Sequence, residues 1–466
     1  MMTIDRKRPR TAARRGALLT VLIPLFAAGC AEDLAVPDFN NPGLGDLDTR
    51  AAVLTAAQGL LITSRAQVSS PNGYMSLLGI LGRESYNFDG SDPRFVTEML
   101  AGAQLNASSP AFGGNLWTIP YNSIRTANAV INALDGLSEN EMSTEEKNAI
   151  SGFAHTIQAL DFLKIVSTRD TNGGVIDVNR PATEPAGPLV PKDAVFDEIQ
   201  SLLDQAETEL ASAGSSFPFS LGGGFTGFDT PATFTMVNRA LAARVAVYRG
   251  QYAEALTALG ESFLDTSADL DLGVYYIFST GSGDTQNGIA ASPDIFAHPS
   301  LLDDAEMNAA MELDARFSEK VFVLDEPETQ QGISTDVGFL LYGNLNDPIP
   351  IIRNEELILL RAEANLGLDQ FQLAADDINF IRTNSGGLEA IANLGTQPEG
   401  DILDELLYNK RYSLLFEGHR WVDMRRYGLL SELPLADPTH RVHERFPVPE
   451  QECLEQTDGA TGICSA

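Results

Sequence analysis

The sequence predicts a mostly α-helical fold, built from about four tetratricopeptide-like helical pairs that carry a long-loop, irregular face. Apolar residues recur at helical spacing in segments that come in pairs, and stretches rich in Gly, Pro, Ser, Asn and Asp separate those pairs. The 466 residues exceed one ordinary hydrophobic core. Helical repeats avoid that limit, because each unit contacts mainly its neighbours.

The first predicted helices lie in the N-terminal third of the chain. Arg50 to Gln67 is rich in Ala and Leu. A second stripe, typical of an amphipathic helix, consists of Trp117, Tyr121, Ile124, Asn128, Ile131 and Leu134. Ser143-Thr-Glu-Glu146 resembles a capping box, so it predicts the start of a helix that runs to about Val166.

The paired pattern continues toward the C-terminus. The predicted helices there are Val195–Leu210, Phe234–Tyr248, Tyr252–Leu259, Glu355–Leu366 and Phe371–Arg382. The break at Arg249-Gly250 gives the second and third of these a tetratricopeptide character. Long stretches between the helices are predicted to be irregular and to carry function; they are residues 83–115, 168–192, 212–233 and 264–347.

The N-terminus has the layout of a lipoprotein signal peptide. Six basic residues between Arg6 and Arg15 precede a short apolar run, and small residues then lead to Cys30. We therefore expect residues 1–29 to be removed, Cys30 to carry lipid, and residues 30–48 to form a tether. The main domain is predicted over 49–449 as one continuous unit, followed by a tail over 450–466. The alternative is an ordinary secreted protein cleaved near Ala28, with Cys30 incidental.

Charge limits the partners of the predicted protein. The chain carries a net charge of −33, although the leader is basic. Such a surface repels nucleic-acid phosphates and anionic headgroups. We expect no nucleic-acid partner, and membrane contact only through the lipid anchor.

Few residues suggest covalent cross-links or metal ligands. Cys453 and Cys464 form a disulfide candidate in an oxidising compartment, and two free thiols are the alternative. Asp265, Asp269 and Asp271 have a calcium-like oxygen spacing, but the Gly and closing Glu of a calcium loop are missing. A structural calcium is the only cofactor considered, and no metal site is predicted.

Two short motifs each have two interpretations, one catalytic or cofactor-binding and the other purely structural. Glu417, Arg420 and Asp423 are three residues apart and would share one helix face. A nearby Arg lowers a carboxyl pKa, whereas a general acid needs a raised pKa, so we expect a salt-bridged network and no enzyme. Gly222-x-Gly224-x-x-Gly227 neither follows a predicted strand nor opens a helix, and is predicted to be a flexible loop.

Several segments, in order between Asn41 and Pro449, together resemble the SusD/RagB family. They are Trp117–Asn128, Phe234–Tyr252, Asp314–Phe317, Pro350–Ala364, Asn379–Arg382, Arg411–Gly428 and Phe446–Pro449. The run RYSLLFEGHRWVDMRRYG is the most specific of them. The resemblance assigns structural roles in these motifs to Trp117, Tyr121, Asn128, Arg353, Glu363, Glu417, Arg420 and Asp423.

The resemblance implies a cell-surface lipoprotein of the outer membrane in a Gram-negative-type bacterium. Such a protein lies as a lid on a TonB-dependent, SusC-like barrel, binds oligosaccharides or other oligomeric nutrients, and breaks no bond. A tetratricopeptide scaffold that binds a peptide partner, or an α-helical glycoside hydrolase, are the alternatives. The first predicts short loops, and the second requires unpaired carboxylates in a cleft.

Ligand contacts are expected on loops, because helical packing explains Trp117 and Trp421. Aromatic faces and planar hydrogen-bonding groups suit a sugar. The candidates are Tyr86, Phe88, Asp92, Arg94, Asn115, Tyr275, Tyr276, Phe278 and Asn287. The alternative for each aromatic is that it packs its loop onto the repeats.

Overall fold

A computed structural model describes residues 47–108, 110–180, 184, 187–456 and 464, without the side chains of 110, 111 and 455. The predicted leader, Cys30 and most of the tether lie outside these residues. The helices are α1 Arg50–Arg65, α2 Tyr74–Leu81, α3 Arg94–Thr97, α4 Asn115–Leu134, α5 Thr144–Arg169, α6 Lys192–Ala211, α7 Pro231–Tyr248, α8 Tyr252–Glu261, α9 Ser300–Asp303, α10 Ala315–Lys320, α11 Asn354–Gly367, α12 Phe371–Asn384, α13 Glu399–Ser413, α14 Arg420–Arg426 and α15 Glu450–Glu455. The strands are β1 Ser85–Asn87, β2 Gly174–Val175, β3 Leu189–Val190, β4 Gly273–Tyr276, β5 Ile295–Ala297, β6 Val321–Gln330, β7 Ile333–Phe339 and β8 Ile349–Arg353. The predicted mostly α-helical, tetratricopeptide-like class is confirmed.

The long helices pack in sequence order. Helix α4 lies between α1 and α5, α5 contacts α6, and α7 pairs with α8. Helix α11 then contacts α8, α12 and α13. Helix α5 is buried along nearly its whole length after the first turn, so it forms the centre of the scaffold.

The start of α5 has the predicted capping box. Glu146 N donates to Ser143 Oγ at 3.3 Å, and Ser143 N donates to Glu146 Oε2 at 3.0 Å. The helix continues to Arg169, three residues beyond the predicted end.

The stretch 264–347, predicted to be irregular, contains strands. Strands β6 and β7 form an antiparallel hairpin in which Gln330 pairs with Ile333. Gln331 and Gly332 both have positive φ, as a two-residue hairpin turn requires. Strand β4 pairs antiparallel with β8, which places the start of this stretch beside the strand that leads into α11.

Candidate ligand-binding site

Two of the loop aromatics predicted to contact ligand lie in the core instead. Tyr86 is only 1% exposed, and Phe88 stacks beside it with ring centroids 5.5 Å apart. His298 and Phe296 cover these two rings from β5 and the residue after it. Their faces are therefore closed to a ligand, because the loop folds back onto β5.

The polar candidates of the same loop have local partners. Arg94 forms a two-bonded ion pair with Asp92, at 2.8 and 2.7 Å. The Arg94 guanidinium also lies 4.4 Å from the centre of the Phe112 ring. Asn115 is half-buried at the first position of α4. These contacts favour a structural role over ligand binding.

Three candidates of the fourth loop are buried beneath the surface. The Tyr276 hydroxyl accepts from Lys164 at 2.7 Å, and Asp161 holds the same ammonium at 2.8 Å. Burial opposes the charge on Lys164, but Asp161 and Tyr276 outweigh it and raise the pKa of that amine. Phe278 lies under Arg65, and Asn287 donates to the Asp347 carbonyl at 2.9 Å. These three side chains hold the loop on the scaffold.

Tyr275 differs from the other aromatic candidates, because it is half-exposed and borders two open clefts. We name these the apolar cleft, of about 320 Å³, and the acidic cleft, of about 580 Å³. The Tyr275 hydroxyl donates to the Asp271 carbonyl, which fixes the ring between the two clefts. Burial and the nearby Asp271 carboxylate raise the pKa of this phenol.

Helix α1, the end of β4 and two glycine-containing loops form the apolar cleft. Leu61 and Ile62 enter from α1, and Ile277 follows β4. Arg65 donates to the Ile277 carbonyl and to Asp284, which fixes the loop that closes the cleft. None of Leu61, Ile62, Arg65 and Ile277 was predicted, since they come from segments more than two hundred residues apart.

The glycine loop of the apolar cleft is packed, not flexible as predicted. Gly224 is buried, and a Cβ on it would lie 2.1 Å from the Tyr275 carbonyl oxygen. Glycine therefore allows this loop to approach the backbone of β4. This close packing, and not dinucleotide binding, explains the glycine at position 224 of the pattern Gly222-x-Gly224-x-x-Gly227.

The acidic cleft lies between β8, the loop after β7 and the end of α12. It is lined by Asp269, Asp271, Glu319, Asp347, Glu355 and Glu417, together with Lys320 and Arg353. Arg353 is buried and donates to Glu417 at 2.9 Å and to Glu355. Lys320 donates to the carbonyls of Tyr412 and Ser413. Arg353 also reaches the exposed Asp271 carboxylate at 3.4 Å.

The predicted single-face network of Glu417, Arg420 and Asp423 is wrong in its geometry. Phe416 and Gly418 have positive φ, and α14 begins only at Arg420, so Glu417 lies in the turn before the helix. Glu417 pairs with Arg353, whereas Asp423 pairs with Lys410 at 2.8 Å and with Arg426 at 2.7 Å. Each acid still has a basic partner, which agrees with a structural role.

The remaining family-motif residues are packed. Trp117 lies against Tyr121, whose hydroxyl accepts from Val175 N at 2.6 Å. Asn128 accepts from Gln158 at 2.7 Å, so it joins α4 to α5 through a side chain. Glu363 accepts from Lys410 at 2.8 Å and from Tyr427 at 2.8 Å.

The aspartates of the calcium candidate form turns. Asp265 accepts from Ser267 N at 2.8 Å, and Asp269 accepts from Asp271 N at 3.0 Å. Asp271 lies beside Arg353. No group of three His, Cys, Asp or Glu side chains among the described residues is placed to hold a metal ion. The spacing therefore has a local explanation.

The C-terminal cysteines are joined. Cys453 and Cys464 form a disulfide with Cα atoms 5.5 Å apart. Helix α15, which carries Cys453, is fixed to the body by the hydrogen bond of Trp117 to Glu452 at 3.4 Å. In the same described part of the chain, no helix is both long and apolar enough to cross a bilayer.

The chemistry of the acidic cleft suits binding. Burial raises the pKa of Glu355, but Arg353 and Lys320 outweigh it and hold that pKa at about 2. A carboxylate held ionised accepts hydrogen bonds and attracts cations, but it has no proton to donate at neutral pH. Fold and site thus define a helical-repeat protein with two clefts formed by helices, strands and loops.

One family model matches the C-terminal part of the chain. Residues 330–462 match the model of the SusD family. This segment contains β7, β8, α11 to α14 and most of the residues of the acidic cleft. No curated protein matches the chain.

Solved structures have the same fold. A SusD-like carbohydrate binding protein from Bacteroides fragilis NCTC 9343 is 14% identical, with a TM-score of 0.65 over 88% of this chain and 98% of that chain. A SusD superfamily protein from Bacteroides vulgatus ATCC 8482 is 14% identical, with a TM-score of 0.64 over 89% and 97%. One from Parabacteroides distasonis ATCC 8503 is 15% identical, with a TM-score of 0.64 over 86% and 97%. The chain thus has the fold of these SusD-type structures, and its residues 330–462 resemble the SusD family.

Proposed function

We propose that this protein is a lipid-anchored, cell-surface lipoprotein of the outer membrane. It captures an oligosaccharide or other oligomeric nutrient and passes it to a TonB-dependent, SusC-like barrel. The family match over residues 330–462 supports the binding function. The basic leader that ends at Cys30 supports export and lipid anchoring.

The observation that carries the proposal is the position of Tyr275 between two open clefts. Pockets that bind ligands are concave, largely preformed and lined by apolar groups with a few convergent polar ones. Both clefts are concave and their walls are held in place by Arg65, Asn287 and Arg353, while the mainly apolar lining belongs to the apolar cleft.

In this proposal the protein binds its ligand and catalyses no reaction on it. The two buried carboxylates of the acidic cleft, Glu355 and Glu417, share one guanidinium. A glycoside hydrolase needs one protonated and one free carboxyl across the scissile bond. A tetratricopeptide scaffold that binds a peptide partner is less favoured, because such a scaffold predicts short loops and this chain has long ones.

Isothermal titration calorimetry on the chain from residue 31 onward tests the proposal, with a panel of oligosaccharides and peptides. We expect one ligand class to bind, and Tyr275→Ala to weaken that binding about tenfold or more. Leu373→Ala removes a similarly exposed side chain on α12 and serves as the control. Turnover of the bound ligand, or binding that Tyr275→Ala does not change, would refute the proposed site.

The anchor and the partner require separate experiments. Incorporation of labelled palmitate should be lost in Cys30→Ser, and surface protease should digest the wild-type protein on intact cells. Purification of the lipidated protein in detergent should recover a SusC-like barrel. Purification of the lipidated protein without any barrel would contradict the delivery of ligand to a transporter. Palmitate labelling of Cys30→Ser would contradict lipid anchoring through Cys30.

A further inference from the structure

The exposed apolar side chains that line the two clefts are aliphatic. Ile62 and Ile277 are 47% and 41% exposed in the apolar cleft, and Leu340 is 49% exposed in the acidic cleft. Each Å² of apolar surface left in water costs about 25 cal/mol, so these positions favour an apolar ligand group. Branched aliphatic side chains offer no flat ring face to a sugar.

Aromatic platforms are scarce beside these residues. Trp117 and Trp421 are buried, and the Trp421 indole donates to the His443 carbonyl at 2.8 Å. Tyr276, Phe278 and Tyr342 are buried as well. Among the described aromatic residues of the clefts, Tyr275 alone is partly open, and its hydroxyl is already bonded to the Asp271 carbonyl.

The acidic cleft presents excess negative charge to its opening. Its lining has six carboxylates and two basic side chains. Lys320 bonds to backbone carbonyls, and Arg353 is shared by Glu355, Glu417 and the 81% exposed Asp271, so two cations face six carboxylates, among them the exposed Glu319. A cationic ligand group would complement this rim, and a neutral sugar would leave the excess charge without a partner.

From these contacts we propose that the clefts bind a peptide, with an aliphatic side chain in the apolar cleft and a Lys or Arg in the acidic cleft. This inference rests on the proposed function and narrows its ligand. An extended peptide advances about 3.3–3.6 Å per residue, so neighbouring side chains can enter clefts that share the Tyr275 ring. A peptide carries both groups on one backbone, whereas an oligosaccharide of neutral sugars carries neither.

Synthetic hexapeptides with blocked ends test the composition of the ligand. One alternates Lys with Leu, a second alternates Glu with Leu, a third alternates Lys with Ser, and maltohexaose represents neutral glycans. By calorimetry with the chain from residue 31 onward, we expect the Lys–Leu peptide to bind at least about tenfold more tightly than the other three. If the Lys–Ser peptide bound as tightly as the Lys–Leu peptide, non-specific attraction to an acidic protein would explain the binding. That result would overturn the inference.

Paired variants test the site. Ile62→Ala with Ile277→Ala should weaken the Lys–Leu peptide about tenfold or more at both low and high salt. Asp271→Asn with Glu319→Gln should weaken it mainly at low salt, since screening removes charge attraction. Leu373→Ala and Asp325→Asn are the matched controls, because they change exposed apolar and acidic side chains away from the clefts.

The remaining outcomes separate this inference from the proposed function. Binding of maltohexaose without the Lys–Leu peptide, lost in Tyr275→Ala, would overturn the peptide inference and leave the proposed function standing. Peptide binding that neither cleft pair changes would overturn the assigned site. Binding of no peptide and no oligosaccharide would overturn both.

Discussion

Arg353 donates from Nη2 to Glu417 Oε1 at 2.9 Å, and this ion pair joins the end of β8 to the turn before α14. The same guanidinium donates from Nη1 to Glu355. Both carboxylates and the guanidinium are almost fully buried. One cation thus compensates two buried anions on the wall of the acidic cleft, and the wall depends on that cation.

Replacement of this cation should destabilise the fold strongly. We expect Arg353→Met to lower the free energy of unfolding by about 3–5 kcal/mol at pH 7, because two buried carboxylates would lose their partner. Denaturation in urea measures the change. Arg180→Met is the control: its ion pair with Asp177 is partly exposed, and a loss below about 1 kcal/mol is expected. Equal losses for the two variants would contradict the buried role of Arg353.

The cost of Arg353→Met should also depend on pH. In the folded protein the pKa of Glu355 is about 2, whereas an unperturbed glutamate side chain has a pKa of 4.5. A depressed pKa gives stability above the unfolded value that is lost as pH falls toward 2. The loss in free energy of unfolding caused by Arg353→Met should therefore become smaller as the pH is lowered from 5 to 3. A deficit that stays constant in urea titrations across that range would contradict the electrostatic explanation.

A second buried carboxyl should act in the opposite direction. Burial raises the pKa of Glu84 to about 8, and no described group hydrogen-bonds to its Oε2. A raised pKa gives stability that is present below about 4.5 and is lost as pH rises through 8. Glu84→Gln should therefore be more stable than the wild type at pH 9, by a few kcal/mol at about 1.36 kcal/mol per pH unit.

The pH profile of thermal unfolding checks the Glu84→Gln prediction. The two proteins should have similar melting temperatures at pH 4, diverge as the pH rises from about 4.5, and keep a constant difference above about pH 8. Glu432→Gln changes an exposed glutamate and should follow the wild type throughout. Parallel profiles for wild type and Glu84→Gln would show that Glu84 is ionised in the folded protein.

The disulfide should stabilise helix α15 by closing the loop that follows it. It closes a loop with a sequence separation of 11 residues, for which chain entropy gives about 3 kcal/mol. Reduction, or Cys453→Ser with Cys464→Ser, should raise amide exchange in α15 and leave α5 protected. Faster exchange throughout α5 would mean that the link supports the whole fold. The single-residue variants would each leave a free thiol, so the double variant is the appropriate comparison.

The sequence predicted the helices better than the site, for a physical reason. An amphipathic stripe such as that of α4, or the capping box at Ser143, is encoded within a few turns of chain. Burial of a loop side chain depends on distant partners. Tyr86 was expected to be exposed, yet residues more than two hundred positions away enclose it.

The misplaced features share this cause. The turn before α14 depends on positive φ at Phe416 and Gly418, which the spacing of charged residues does not reveal. The apolar cleft brings Ile62 together with Ile277, and neither residue carries a motif. Tyr275 was predicted because an aromatic residue on a loop offers a face to a sugar, but its position between two clefts required the fold.

The glycine loop gives a test that compares two neighbouring positions. A Cβ at Gly224 would lie 2.1 Å from the Tyr275 carbonyl oxygen, whereas a Cβ at Gly223 meets no atom within 4 Å. Gly224→Ala should therefore displace the loop from β4, lower the free energy of unfolding by about 1–3 kcal/mol and weaken ligand binding. Gly223→Ala should change both by much less. Calorimetric affinity and urea denaturation of the two variants decide the matter: equal effects would mean that the loop does not depend on its close approach to Tyr275.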